Sequence, residues 1–157
     1  MEALAKRVGE SLLSRNLVLA TAESCTGGWV SALVTSVPGS SAWFDAGFVT
    51  YSNLAKQRML GVREETLASQ GAVSEAVVLE MATGACTHSE ANCAVSISGV
   101  AGPDGGSLEK PVGTVWIGWR VHQRVWAQRF YFNGDRTDIR RQAVEAALMG
   151  LLEAKSS

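Results

Sequence analysis

The segment Leu17-Val18-Leu19-Ala20-Thr21-Ala22-Glu23-Ser24-Cys25-Thr26-Gly27-Gly28-Trp29-Val30-Ser31-Ala32-Leu33-Val34 reads as strand, tight turn and helix. A hydroxyl (Ser24) and a thiol (Cys25) sit side by side at the turn, and two glycines stand where the helix should open. A side chain on such a turn points into the crevice beyond the strand's C-terminal end, where open α/β sheets bind ligands. The N–H groups of Thr26, Gly27 and Gly28 would carry the positive end of the helix dipole and suit a phosphate or an oxyanion. A plainer reading stands beside this one: Ser24 or Thr26 is simply the helix N-cap.

Working outward, Leu4, Val8 and Leu12 mark an amphipathic helix over 2–15. Residues 17–22 form a buried strand, and 27–36 a helix ended near Pro38-Gly39. A second strand is expected at 46–51, then a short helix over 52–60 that stops at Gly61. Ser74 caps a helix over 75–87 whose inner face is Val78, Met81, Ala82 and Ala85. Residues 94–98 make a third strand, followed by a glycine-rich loop from Gly99 to Gly106. Strands over 112–121 and 124–132 flank His122-Gln123 as a hairpin. A last helix spans 135–154, striped by Ile139, Ala143, Ala147 and Leu151. Alternating β and α elements favour parallel pairing, and the late hairpin adds an antiparallel part. The expected fold is a three-layer α/β/α domain over residues 1–157, with a mixed, mainly parallel sheet.

Bulk properties narrow the function classes. A chain of 157 residues fits one domain with its own core. Its hydrophobic fraction of 46% and charged fraction of 18% are ordinary for a folded protein. The formal net charge is −1 and the basic residues are scattered, which disfavours nucleic acid and anionic membrane as partners. No apolar run approaches a membrane span, and the N-terminal residues lack a secretory layout. Three cysteines without framework spacing suggest free thiols in a reducing cytoplasm.

A serine nucleophile needs a base. The two histidines, His88 at a helix end and His122 in the hairpin, are not placed near Ser24 by the sequence. A lysine whose pKa is lowered by burial can serve instead. Lys56, just after Tyr51-Ser52-Asn53 at the end of the second strand, has the right position; Tyr51 could orient it or share the proton. Lys6 and Lys155 lie on terminal helices and Lys110 in the glycine loop. Against this, most lysines are simply solvated. Cys25 is a rival nucleophile, since a helix N-terminus lowers a thiol pKa, although buried structural cysteine is the commoner outcome.

The loop containing Ser98, Gly99, Gly102 and Gly105 lets backbone approach a ligand closely, but its spacing is neither a dinucleotide fingerprint nor a P-loop. The alternative is a tight strand-to-hairpin connection. Arg136 opens the last helix behind its cap, Asp135, and suits phosphate or carboxylate recognition; Arg140 and Arg141 read as surface residues. Cys86, His88 and Cys93 fit no zinc spacing, so neither metal nor cofactor is expected.

Taken in order, Thr21 to Gly28, Phe48 to Asn53 with Lys56, Gly71 to Ser74, Ser96 to Gly106, Lys110 to Val115 and Phe132 to Arg136 resemble the CinA C-terminal-domain family. The chain looks like its stand-alone form, the nicotinamide-nucleotide amidohydrolases, without the molybdopterin-binding-like domain of longer members. The resemblance implies hydrolysis of the carboxamide of nicotinamide mononucleotide to nicotinate mononucleotide and ammonia, in pyridine nucleotide salvage. It implies Ser24 as nucleophile and Lys56 as base, with Tyr51 assisting and no metal. Thr26, Gly27, Gly28, Ser98, Gly99, Gly102, Gly105 and Arg136 would bind the substrate. Two other readings remain open: an inactive nucleotide-binding or regulatory relative, and a cysteine enzyme using Cys25. Self-association is also left open.

Overall fold

The computed structural model describes residues 1–154; Lys155, placed on the last helix by sequence, lies outside them. The elements are α1 (Glu2–Ser14), β1 (Leu19–Glu23), α2 (Trp29–Thr35), β2 (Phe44–Val49), α3 (Asn53–Leu60), α4 (Glu64–Gln70), α5 (Glu75–Thr87), β3 (Cys93–Gly99), β4 (Thr114–Val121), β5 (Arg124–Tyr131) and α6 (Arg136–Glu153). A single 3₁₀ turn, Ser40–Ala42, precedes β2.

One five-stranded sheet has the order β2-β1-β3-β4-β5. β1 pairs in parallel with both β2 and β3, while β3–β4 and β4–β5 are antiparallel. The hairpin therefore grows from β3 on the side away from β1. After β1 the chain crosses to one side to make β2, then returns past β1 to make β3. The carboxyl ends of β1 and β3 are thus a topological switch point, the place where open α/β sheets form a crevice.

Two cores lie on the two faces of the sheet. On one, α1, α2 and α6 bring Val8, Leu12, Val30, Ile139 and Leu148 against Leu19, Val95, Ile97 and Ile117. On the other, Val77, Val78, Met81 and Ala85 of α5, with Leu60 and Leu67, cover Ala20, Ala22 and Ala94. The small sheet residues there let α5 pack close, and Ser96 Oγ donates to Val78 O at 2.6 Å across that contact. Among the described residues, no helix is long and apolar enough to cross a membrane.

Side-chain caps open three of the six α-helices among the described residues. Ser52 accepts from Ala55 N–H, Ser74 accepts from Val77 N–H, and Asp135 and Asp138 form a reciprocal capping box. Some boundaries differ from those expected. β1 starts later and runs through Glu23, and β2 lies two residues upstream of the expected 46–51. The sheet ends as Thr50 N–H reaches Glu23 O at 2.8 Å, and the next carbonyl turns out of the ladder. The second helix begins at Trp29 rather than residue 27, because Gly27 and Gly28 both have positive φ, +59° and +100°. α4 was not anticipated: seven residues with only Thr66 and Leu67 buried carry too little periodicity to read.

Candidate active site

The Ser24 turn is built from below by a buried carboxylate. Glu23 is 1% exposed. Its Oε1 accepts from Thr26 Oγ1 at 2.7 Å and Val30 N–H at 2.9 Å. Its Oε2 accepts from Ser31 N–H at 3.0 Å and Ser31 Oγ at 2.9 Å. The first free donors of α2 are therefore taken by Glu23, which does the work expected of Ser24 or Thr26 as N-cap. Ser24 itself is released from capping. Its N–H donates to Ile97 O at 3.0 Å, and its carbonyl accepts from Gly27 N–H at 3.0 Å.

Lys56 meets Ser24 from the next strand's end. One turn into α3, it is 1% exposed, and its Nζ lies 3.0 Å from Ser24 Oγ. The same Nζ donates to Thr50 O at 3.1 Å and Tyr51 O at 3.0 Å. The Ser24 hydroxyl itself donates to Tyr51 O, at 3.3 Å. No carboxylate among the described residues pairs with Lys56. Burial pushes its pKa below the ordinary 10.5. A neutral amine has two N–H donors and one lone pair. With Lys56 in that form the two carbonyls would take the donors, and the lone pair would face the serine hydroxyl. The contact brings an amine and a hydroxyl within proton-transfer reach of each other.

A sequence model of the CinA C-terminal domain matches residues 1–155. The chain belongs to the CinA C-terminal domain family. Within it, the chain is 58% identical over 149 residues to the nicotinamide-nucleotide amidohydrolase PncC of Escherichia coli K12, covering 94% of this chain and 90% of the relative. It is 57% identical over 150 residues to the protein of that name from Pseudomonas putida, covering 96% and 94%. Among solved structures, a competence/damage inducible protein from Agrobacterium tumefaciens superposes with a TM-score of 0.93 at 46% identity, covering 96% of this chain and 93% of that one.

The other residues singled out in this CinA domain fall into distinct positions. Tyr51 is 63% exposed, and its hydroxyl accepts from Arg136 Nη2 at 3.4 Å. What Tyr51 brings to Lys56 and Ser24 is its main-chain carbonyl. Arg136 Nη1 also donates to Gly102 O at 2.8 Å, so one guanidinium ties the glycine loop to the end of β2. It borders a cavity of about 520 Å³ bounded by Ala101, Pro103, Val112 and Gly134 to Thr137.

The residues of the turn and loop are placed as follows. Thr26 is fully buried with its hydroxyl on Glu23, so its side chain is closed to a ligand. The Gly27 N–H is spent on Ser24 O. Gly99 and Gly102 are required by packing: a Cβ on Gly99 would come within 2.7 Å of Val115 Cγ2, and one on Gly102 would collide with Val112 Cγ1. Gly105 sits at φ +92° in the exposed part of the loop. Ser98 lies inside β3 opposite Trp116, 2% exposed. His88 and His122 are both exposed and outside the site, His122 at the hairpin turn with φ +52°. Among the described residues, no three of His, Cys, Asp and Glu gather as a metal-binding group.

Cys25 is buried, and burial pushes its thiol up to about 11. Buried structural cysteine was the commoner expectation, and desolvation here outweighs the lowering by the nearby Arg140 guanidinium. Two residues escaped the sequence reading. Glu23 carries no local signature, because no capping motif joins residues seven and eight apart. Arg140, read as a surface residue, donates from Nε to Cys25 O at 2.9 Å and from Nη2 to Thr26 O at 3.1 Å. Only the fold brings α6 over the turn.

Proposed function

We propose that this chain is an amidohydrolase that converts nicotinamide mononucleotide to nicotinate mononucleotide and ammonia, with Ser24 as nucleophile and Lys56 as its base. The observation that carries the reading is the 3.0 Å contact between Lys56 Nζ and Ser24 Oγ, with the same amine also bonded to the carbonyls of Thr50 and Tyr51. The names of the E. coli and P. putida relatives supply the reaction class.

In this mechanism Lys56 takes the Ser24 proton as Oγ attacks the carboxamide carbon. The tetrahedral intermediate collapses, and the Lys56 ammonium returns that proton to the departing nitrogen, which leaves as ammonia. The product is an ester between Ser24 and the nicotinate carbonyl. Lys56, neutral again, then takes a proton from water as the water attacks the ester. Ser24 Oγ leaves with the bonding pair and recovers that proton, and the nicotinate product, formed as the acid, loses its remaining proton to solvent as it departs. Arg136, facing the 520 Å³ cavity, holds the substrate phosphate through its fork of donors.

The test is ammonia release from nicotinamide mononucleotide by the wild type, Ser24→Ala and Lys56→Ala. Turnover by the wild type alone supports the reading, and full activity in Ser24→Ala would sink it. Tight calorimetric binding of the nucleotide without turnover in the wild type would favour the non-catalytic alternative.

A further inference from the structure

We infer that Arg140 is a positioning residue for the nucleophile: from the opposite helical layer it fixes the two carbonyls that follow Ser24 and so sets the direction of the serine hydroxyl. The inference rests on the reading of Ser24 as nucleophile.

Arg140 lies in the second turn of α6, half-buried, with its guanidinium 5.6 Å from the Trp29 ring centroid. Its Nε and Nη2 hold consecutive carbonyls, those of Cys25 and Thr26. The same turn is fixed elsewhere by Ser24 N–H on Ile97 O and Gly27 N–H on Ser24 O.

In a trans peptide the carbonyl and the following N–H point in opposite directions. A carbonyl pulled toward α6 therefore turns its partner N–H away from α6. Two left-handed glycines, Gly27 and Gly28, follow the turn immediately and loosen the backbone there. Arg140 adds to the bonds from Gly27 N–H to Ser24 O and from Trp29 N–H to Thr26 O, and is the one that holds Cys25 O.

Lys56 approaches Ser24 from α3, in the other helical layer. The nucleophile thus sits between layers, with the two carbonyls that follow it held by α6 and its hydroxyl met by α3. Lysine cannot replace the fork, because an ammonium lacks the fixed geometry that spans two carbonyls.

The experiment compares wild type, Arg140→Ala, Arg140→Lys and, as a control, Arg141→Ala, whose partners are Asp138 and Glu145. Two quantities are read: steady-state ammonia release, and the rate at which a fluorophosphonate labels Ser24. In labelling, Ser24 Oγ forms the P–O bond, fluoride leaves with the P–F electron pair, and the hydroxyl proton passes to Lys56. Labelling reads the nucleophile whatever the natural substrate, so it separates this inference from the proposed reaction.

Arg140→Ala is expected to lower kcat and the labelling rate together, by about 100-fold, with KM within about threefold, as misplacement of a reacting group by an ångström does. Arg140→Lys should fall between the two, Arg141→Ala should match wild type, and added guanidinium at millimolar concentration should restore part of the Arg140→Ala rate. Unchanged kcat and labelling in Arg140→Ala would overturn the inference. So would a rise in KM at constant kcat, which would make Arg140 a substrate-binding group.

Discussion

Glu23 and Val30 are joined by a 2.9 Å hydrogen bond from the Val30 N–H to the Glu23 carboxylate, seven residues back and inside the protein. All four partners of that carboxylate are donors. A carboxamide in its place would turn an N–H₂ toward at least one of them. Glu23→Gln is therefore expected to destabilise the fold by about 2–3 kcal/mol, the usual cost of an unpaired buried group next to a lost charge-assisted bond. For a chain of this length that lowers Tm by about 5–10 °C. Thermal unfolding followed by circular dichroism checks it.

Lys56→Arg keeps a positive charge and hydrogen-bond donors but removes the base, because guanidinium does not deprotonate in proteins. If Lys56 acts as a neutral amine, kcat should fall by about 10²–10⁴-fold, the usual contribution of a positioned base. Were Lys56 only an electrostatic anchor, Arg would preserve much of the rate. Cys25→Ala should keep near-wild-type turnover, since its thiol is held neutral well above physiological pH.

The pH profile of kcat/KM follows from the same burial. Desolvation favours the neutral amine, so the ascending limb of activity should lie below the ordinary lysine value of 10.5. For stability, between the lowered folded pKa and 10.5 the unfolded chain binds more protons at Lys56 than the native one. The Lys56 contribution to stability therefore rises with pH across that window. Comparing the pH dependence of urea midpoints for wild type and Lys56→Met isolates this part, and identical slopes would refute it.

The buried thiols act with the opposite sign. Burial raises Cys25 to about 11 and Cys93 to about 12, above the free value of 9.0. Between pH 9 and those values the unfolded chain loses thiol protons that the native state keeps. Stability should fall with rising pH there, by about 1.4 kcal/mol per pH unit for each thiol. Cys93→Ala should flatten that alkaline slope, whatever its effect on absolute stability.

Arg136→Ala should discriminate between substrates. If the guanidinium holds the phosphate, KM for nicotinamide mononucleotide should rise by about 10–100-fold, the scale of a lost charge-assisted pair. The dephosphorylated riboside should be hydrolysed equally by variant and wild type. Equal effects on both substrates would assign Arg136 to holding Tyr51 and Gly102 instead.

Much of this architecture is legible in local patterns. Ser52, Ser74 and Asp135 announce their helices through caps, and the α5 stripe Val78, Met81, Ala82 and Ala85 is fully buried as its spacing implies. The nearness of Ser24 and Lys56 was suggested by two strand–turn–helix units ending at the same sheet edge. What stayed illegible depends on long-range contact. Arg140 reaches Thr26 across 114 residues of chain, and no periodicity on α6 distinguishes it from Arg141, which pairs with Asp138 and Glu145 of its own helix. Glycines were ambiguous for a related reason: Gly99 looks the same in sequence whether a ligand or Val115 is the close neighbour.

The two acceptors that hold the amine of Lys56 are main-chain carbonyls, those of Thr50 and Tyr51. Side-chain identity at these positions can drift without altering them. Length cannot. Residues 52–55 form the cap and first turn of α3, and inserting or deleting one residue there would swing Lys56 by about 100° around the helix axis. Across descendants of this sequence, the stretch from Tyr51 to Lys56 should accept substitutions far more readily than a change in spacing.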